Sequence, residues 1–413
     1  MVDGPERNAV LTRRDLLAGG AGLLVAAPAV LAGATADIPP SMARPGSGFG
    51  VYGQPSPFEK HTARAIAANR DVPGNGVSWT PLHDLEGTIT PSGLHFERHH
   101  SGVPEIDPTQ HRLALHGRVG KPLVWTVADV LRYPRVSRQL FIECGGNSNS
   151  LWNAEPRQTS AGALHGLVSC SEWTGVPLRL LLEEAGVAQG ATWLIAEGAD
   201  AGGLHLSVPL SKARDDCLLA LFQNGERLRP EQGYPMRLIV PGWEGVTHVK
   251  WLHRLELASE PAMSRFETGR YTDLLPSGKA RQFSFVIEPK SVITNPSPGQ
   301  LLRAKGVYQI SGLAWSGRGA VRRVEVSADG GKTWVEAALD GPVQRQCFTR
   351  FRIAWAWRGQ SAVLKSRVTD ETGATQPERA ALVAERGRHG EFHFNGINAW
   401  AVDEDGEVSH VYA

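Results

Sequence analysis

The sequence predicts an α+β chain in which a mixed helix-and-strand domain over 78–262 precedes an all-β, immunoglobulin-like sandwich over 280–413. Three observations predict this. The 413 residues exceed what one ordinary domain holds, and 41% hydrophobic against 21% charged residues exclude a globally disordered chain. Between about 80 and 262, helical signatures alternate with short apolar runs that read as buried strands. After about 280 the texture changes to short stretches of period-two alternation separated by turn residues, the pattern of an antiparallel sandwich.

Taken in order, the first 36 residues read as an address. Arg13-Arg14 is followed at once by an Ala/Gly-rich apolar run ending in the small-residue sites Ala32-Gly33-Ala34 and Ala34-Thr35-Ala36. That is the layout of a cleaved twin-arginine signal peptide and of periplasmic delivery, with no membrane attachment after processing. An uncleaved anchor is the alternative, weakened by Gly19, Gly20, Gly22, Pro28 and Gly33. Residues 37–77, rich in Pro, Gly and Ser, are expected to form an irregular arm. A short helix is expected over Val124–Tyr133, capped by Thr126. A second is expected over Trp173–Ala185, opened by Thr174 and Pro177, with Leu178, Leu181 and Leu182 on one face and Gly186 as its stop. Gln139–Glu143, Arg237–Val240 and Val246–Leu252 read as buried strands. Residues 263–279 are expected to link the domains. In the sandwich, Val321–Val326, Phe351–Trp357 and Val363–Thr369 alternate, and Asp329-Gly330-Gly331 supplies a hairpin turn.

Composition excludes several functions. Forty-three Lys+Arg against 42 Asp+Glu give a net charge of +1, with no basic stripe for nucleic acid. Four Cys are too few for a disulfide scaffold, and no CxxC or CxxCH occurs, so the chain holds no zinc ribbon and no haem of its own.

The residues that could carry chemistry fall in three places. Cys144 ends an apolar strand and precedes Gly145-Gly146-Asn147, a turn that lets backbone approach a ligand. A buried Cys is otherwise a small inert hydrophobe, so the spacing leaves both readings open. Arg98-His99-His100 is a cationic cluster, either a solvated loop or an anion contact; the two His would face opposite sides of a strand and so not share one metal. Arg237 and the run Gly245–Leu252, with His248 and Lys250, place further donors beside apolar strands. Each alone reads as a structural ion pair, and together they read as a pocket for a phosphorylated cofactor. The twelve Trp are read as core packing for the most part, with Trp334, Trp355 and Trp357 also considered as interface anchors.

Over about 78–413 the chain resembles the sulfite oxidase family of molybdopterin enzymes. Cys144-Gly145-Gly146-Asn147 resembles the motif whose thiolate ligates molybdenum. Phe96-Glu97-Arg98-His99-His100 resembles the stretch that holds the pterin and faces substrate. Gly233–Gly242 and Gly245–Leu252 resemble the paired phosphate-binding segments, and Gly312–Gly317 with Val324–Trp334 the C-terminal dimerisation domain. The resemblance implies a molybdenum–molybdopterin cofactor with Cys144 as metal ligand. It implies cofactor-binding roles for Phe96, Arg98, His100, Cys144, Asp200, Arg237, His248, Val249 and Lys250, and catalytic roles for Cys144, Arg98 and Tyr271.

The departures from the family are specific. Ser148 and Asn149 stand where sulfite oxidases carry two arginines; His393-Phe394-Asn395 stands where a third is expected; Gln232 replaces a cofactor-contacting histidine. A small dianion needs several guanidinium groups to offset its desolvation. The pattern is similar to the sulfane dehydrogenase branch of the family. That implies oxidation of a cysteine-bound sulfane on a carrier protein (SoxYZ-like), a diheme cytochrome c partner (SoxD-like), and a homodimer within a heterotetramer. A periplasmic sulfite dehydrogenase is the alternative, and a cofactor-free binding module the alternative of another class.

Overall fold

The structure is a computed structural model that describes residues 40–42, 45, 48–388 and 390–413. The expected signal peptide lies outside the described residues. Among those residues no helix is long and apolar enough to cross a membrane.

Three sheets build the first half. A small antiparallel sheet joins Ala65–Ala68, Gly76–Trp79 and Glu97–His99 in that order. The expected irregular arm therefore ends in a hairpin that pairs with the strand carrying Arg98, and the solvated-loop reading of Arg98-His99-His100 does not hold. A second sheet runs Val136–Glu143, Val168–Pro177, Leu218–Gln223 and Glu226–Arg227, with Arg237–Ile239 also paired to Leu218–Gln223. The third is ordered Leu123–Thr126, Arg112–Gly117, Leu252–Ala258, Trp193–Gly198, His205–Pro209.

Local signals explain where the elements stop. Thr126 caps the one-turn helix Val127–Val130 through a reciprocal bond with Asp129, so the cap was read correctly and the helix is shorter than expected. The helix Leu178–Ala185 buries Leu178, Leu181, Leu182 and Ala185 and ends where Gly186 turns to φ 69°. Its expected first turn, Trp173–Pro177, is strand instead: Trp173 pairs with Gln223 and Arg138, and Gly175 lies so close to the Leu219 carbonyl that a Cβ would sit 2.3 Å from it. Val246–Leu252 is not a continuous strand either. Gly245–Thr247 is a 3-10 turn, Trp251 takes φ 53°, and strand geometry begins only at Leu252.

In the second half two antiparallel sheets face each other. One contains Lys290–Asn295, Gly306–Trp315, Thr349–Trp357 and Ala338–Leu339; the other contains Val335–Glu336, Val321–Ser327, Ala362–Asp370, Ala399–Val402 and Val408–Val411. Their inward residues, among them Ile310, Val324, Phe351, Trp355, Leu364 and Trp400, form one core. Trp355 and Trp357 are buried in it and so are not interface anchors, while Trp334 is half-buried beneath Arg367. The stretch 263–279 is not featureless: it holds the turn of helix Arg265–Thr268 and the strand Asp273–Leu274, which pairs with Ala280–Arg281.

The two halves share a continuous seam. The sandwich core runs on into Leu82, Phe141, Trp152, Leu164 and Cys170 of the first half. Phe141 N–H donates to the Gln346 carbonyl at 3.0 Å, and Ile287 N–H to the Gly242 carbonyl at 3.0 Å. Gly242 and Gly317 meet backbone to backbone, since a Cβ on Gly317 would fall 1.9 Å from the Gly242 oxygen.

Candidate active site

The strand Val136–Glu143 delivers Cys144 to the edge of a cleft of about 720 Å³, its open mouth included. The same cleft is lined by Phe96, Arg98, His100, Asp200, Arg237, His248, Lys250 and Tyr271, so residues 173 positions apart in the chain meet in one place (98 to 271). Of the expected residues only Val249 is elsewhere: its side chain packs in the core beneath the cleft, and its carbonyl accepts the Leu238 N–H at 2.9 Å. The irregular path of 245–251 explains the split, because turning His248 and Lys250 into the cleft forces Val249 inward.

Sequence reasoning missed His95, His99 and Trp251, which also line the cleft. His99 carried a signal as part of the Arg98-His99-His100 cluster and Trp251 as part of the Gly245–Leu252 run, while His95 carried none. Ser148 and Asn149, where arginines were expected, do not line it. Ser148, at φ 66°, is buried with its hydroxyl 2.7 Å from His165 Nδ1, and Asn149 is exposed.

One wall is built from buried cations that make no salt bridge among the described residues: no carboxylate acts on Arg237, and Asp200 and Glu231 reach Lys250 only through space. Arg237 is fully enclosed over the Trp173 ring; its Nη atoms donate to the Gln232 and His248 carbonyls at 3.0 Å, and its Nε has no partner. Burial lowers its pKa to about 9. Lys250 Nζ lies 2.8 Å from His99 Nδ1 and donates to the Arg98 and Glu231 carbonyls, and burial lowers its pKa well below the usual lysine range. Burial, reinforced by these cations, depresses the pKa values of His95, His99 and His248 to about 3, so all three are neutral. A buried cation with no carboxylate beside it asks for an anion. Two basic side chains, a guanidinium N–H without a partner among the described residues and several neutral imidazoles fit a phosphorylated, hydrogen-bonding cofactor.

The other end of the cleft holds the thiol. Burial raises the Cys144 pKa to about 11; among the charges acting on it, Arg98 lowers it while Glu244 and Glu143 raise it. The thiol therefore holds its proton near neutral pH. Arg98 donates to His100 Nδ1 at 3.3 Å. Burial keeps His100 neutral, with a pKa near 4, so its proton must sit on Nε2, which faces the Tyr271 hydroxyl at 3.4 Å. Tyr271 thus accepts from His100 and has its own O–H free for the cleft. Burial, with the Cys144 and Glu244 charges, raises the pKa of that hydroxyl, which remains a donor.

The cysteine turn is held from behind by the sandwich. Lys290, 1% exposed, reaches Glu143 Oε1 at 2.9 Å and Ser148 Oγ at 2.8 Å; Trp315 Nε1 donates to Glu143 Oε2 at 2.6 Å and Asn147 Nδ2 to Glu143 Oε1 at 2.8 Å. His393 adds a main-chain bond to the Gly145 carbonyl at 2.7 Å, and its Nε2 lies 3.4 Å from a Glu244 carboxylate oxygen.

Comparison with known proteins agrees with this geometry. Residues 100–266 match the oxidoreductase molybdopterin binding domain, and residues 281–397 the Mo-co oxidoreductase dimerisation domain. Mouse mitochondrial sulfite oxidase is 35% identical over 291 residues, 66% of this chain and 52% of that protein. The chicken sulfite oxidase is 33% identical over 72% of this chain and 70% of its own length. The chain thus spans about half the length of the mammalian relatives. The crystal structure titled as the sulfane dehydrogenase SoxCD from Paracoccus pantotrophus aligns with a TM-score of 0.89 and 46% identity over 91% of this chain and 98% of that one.

Proposed function

The chain belongs to the sulfite oxidase family of molybdopterin oxidoreductases, and on that premise we propose that it oxidises sulfane sulfur carried on a cysteine of a partner protein. Arg237 and Lys250 would hold the pterin phosphate, Phe96, Asp200 and His248 would line the rest of its site, and Cys144 would ligate the molybdenum. When bound, this cofactor supplies a metal that cycles by two electrons and transfers an oxygen atom drawn from water. The chain's own residues supply placement. Arg98 would stabilise negative charge developing near Cys144, and Tyr271, fixed by His100, would donate a hydrogen bond to the bound substrate.

The observation that carries the choice of substrate is the charge around the thiol. Arg98 is the cation acting most strongly on both Cys144 and Tyr271, and Glu244 opposes it at both. One guanidinium against a carboxylate suits a sulfur that arrives covalently attached better than a free dianion. The likeness to a solved sulfane dehydrogenase supports the same reading.

The remaining parts of the proposal are export by the twin-arginine route to the periplasm, electron transfer to a diheme c-type cytochrome subunit, and a homodimer formed through the sandwich. The sulfite oxidase relatives favour a second reading, a periplasmic sulfite dehydrogenase. The test is kcat/KM for a carrier-bound sulfane and for free sulfite, on one preparation of measured molybdenum content. Preference for the carrier substrate by tenfold or more is expected. Preference for sulfite moves the assignment to the second reading, and a preparation that takes up no molybdenum overturns both in favour of a binding module.

A further inference from the structure

We propose that Cys170 and Cys347 form a redox pair that closes into a disulfide across the seam between the two halves of the chain. The pair is separate from the cofactor chemistry. Their sulfur atoms lie 3.4 Å apart, both residues are buried, and 177 positions separate them in sequence. Cys170 lies on Val168–Pro177 directly across from Phe141, three residues before Cys144. Cys347 follows Gln346, whose carbonyl accepts the Phe141 N–H. The two thiols thus face each other between rigid, hydrogen-bonded backbones, and side-chain rotation is all that separates them from the covalent distance of about 2 Å.

The chemistry needs a disulfide donor, such as oxidised glutathione or a protein dithiol oxidase. The Cys347 thiolate attacks one donor sulfur and a mixed disulfide forms as the first donor thiolate leaves. The Cys170 sulfur then attacks Cys347, expelling the second thiolate. Two electrons pass from the pair to the donor, and the two thiol protons end on the two leaving thiolates. Cys347 is the natural first nucleophile. The hydrogen bond from the Cys170 thiol and the Phe348 N–H lower its pKa, whereas burial raises that of Cys170. It also follows the exposed segment 341–343, which offers a way in. Cys217, bonded to the Lys212 carbonyl at 3.4 Å, has no such neighbour and serves as the control.

The full-length holoenzyme would be equilibrated with glutathione mixtures from fully reduced to fully oxidised, in urea below its unfolding midpoint so that the seam can open. It would then be quenched in acid, alkylated and mapped by mass spectrometry. The expected result is one Cys170–Cys347 cross-linked peptide, Cys217 alkylated throughout, and a melting temperature higher by on the order of 5 °C in the oxidised form, as closing so long a loop requires. In Cys170→Ala, Cys347 should instead be recovered as a glutathione mixed disulfide, and the redox dependence of melting should vanish. Both thiols remaining alkylatable in the most oxidising mixture overturns the proposal. So does a cross-link to Cys217 or a bridged form that melts lower.

Discussion

Replacing Lys290 by Met tests whether the sandwich holds the cysteine turn. The ammonium is 1% exposed and makes contacts of 2.9 Å to Glu143 and 2.8 Å to Ser148, while Glu143 keeps N–H donors from Trp315 and Asn147. Burial pushes the lysine pKa down and Glu143 pushes it back up, the signature of a charge tolerated for its partner. Methionine fills most of the volume, so the loss is chiefly the cation, and Glu143 becomes a buried carboxylate with dipoles alone to stabilise it. Breaking a buried pair in this way costs about 3–5 kcal/mol, a large share of the roughly 5–15 kcal/mol that holds a typical folded domain. Urea unfolding of the metal-free chain reads that loss directly. Adding Glu143→Gln should recover about half or more of it, because the amide oxygen can still accept from Trp315 or Asn147 without carrying charge. Single and double variants should also load less molybdenum, since Glu143 immediately precedes Cys144. A cost below about 1 kcal/mol for Lys290→Met, or a double variant weaker than the single, refutes the reasoning.

Three further outcomes follow from the cleft. Arg237→Met should leave the metal-free chain as stable as wild type or more stable in urea, since a buried cation without a carboxylate is itself costly, yet weaken cofactor retention on the order of ten- to a hundredfold, measured by molybdenum content after dialysis. His95, His99 and His248 titrate near 3 in the folded chain against 6.5 when unfolded, so the unfolded chain binds protons that the folded one refuses. Stability should be full above about pH 6.5 and fall steadily as pH drops from there toward 3, and a urea midpoint unchanged between pH 7 and 5 would contradict it. Asn149→Arg should leave sulfite kinetics unaltered, because position 149 is exposed and away from the cleft; a clear gain in sulfite kcat/KM would mean that the arginines missing from this turn do set substrate choice.

Much of the site was legible because its residues fall in short motifs that each bring their own backbone geometry. The Cys144 turn, the Arg98 cluster and the basic run 245–252 could be recognised singly as motifs, and the fold assembles them. What misled was periodicity near a switch of element. Leu178, Leu181 and Leu182 do mark a helix, but Thr174 and Pro177 upstream look like cap residues while lying in a strand fixed by cross-strand pairing to Leu218–Gln223. The apolar residues of 246–252 suggested a strand, yet placing His248 and Lys250 on the cleft side requires turns that pairing would forbid. His95 had no local signature at all, and Trp251 only its place in the 245–252 run, since their positions in the cleft wall come from tertiary contact. The cation wall was visible in outline as clustered basic residues, but that no carboxylate acts on Arg237, which gives the wall its chemical meaning, is a property of three-dimensional neighbours.

The facing glycines Gly242 and Gly317 bear on how the molecule can move. With the Ile287 N–H on the Gly242 carbonyl and the Gly317 N–H on that of Ile287 at 2.8 Å, main chain locks to main chain with no side chains between to act as a lubricated joint. Such a junction has no hinge, because any rotation of one half against the other must break these bonds together. Access to Cys144 therefore depends on the static mouth of the cleft and on side chains at its rim such as Tyr271, not on the halves swinging apart. If the substrate is the carrier-bound sulfane proposed above, a carrier too bulky for that mouth must present its sulfur on a slender projecting segment, so reach and flexibility of the delivering chain would be selection criteria as strict as chemistry.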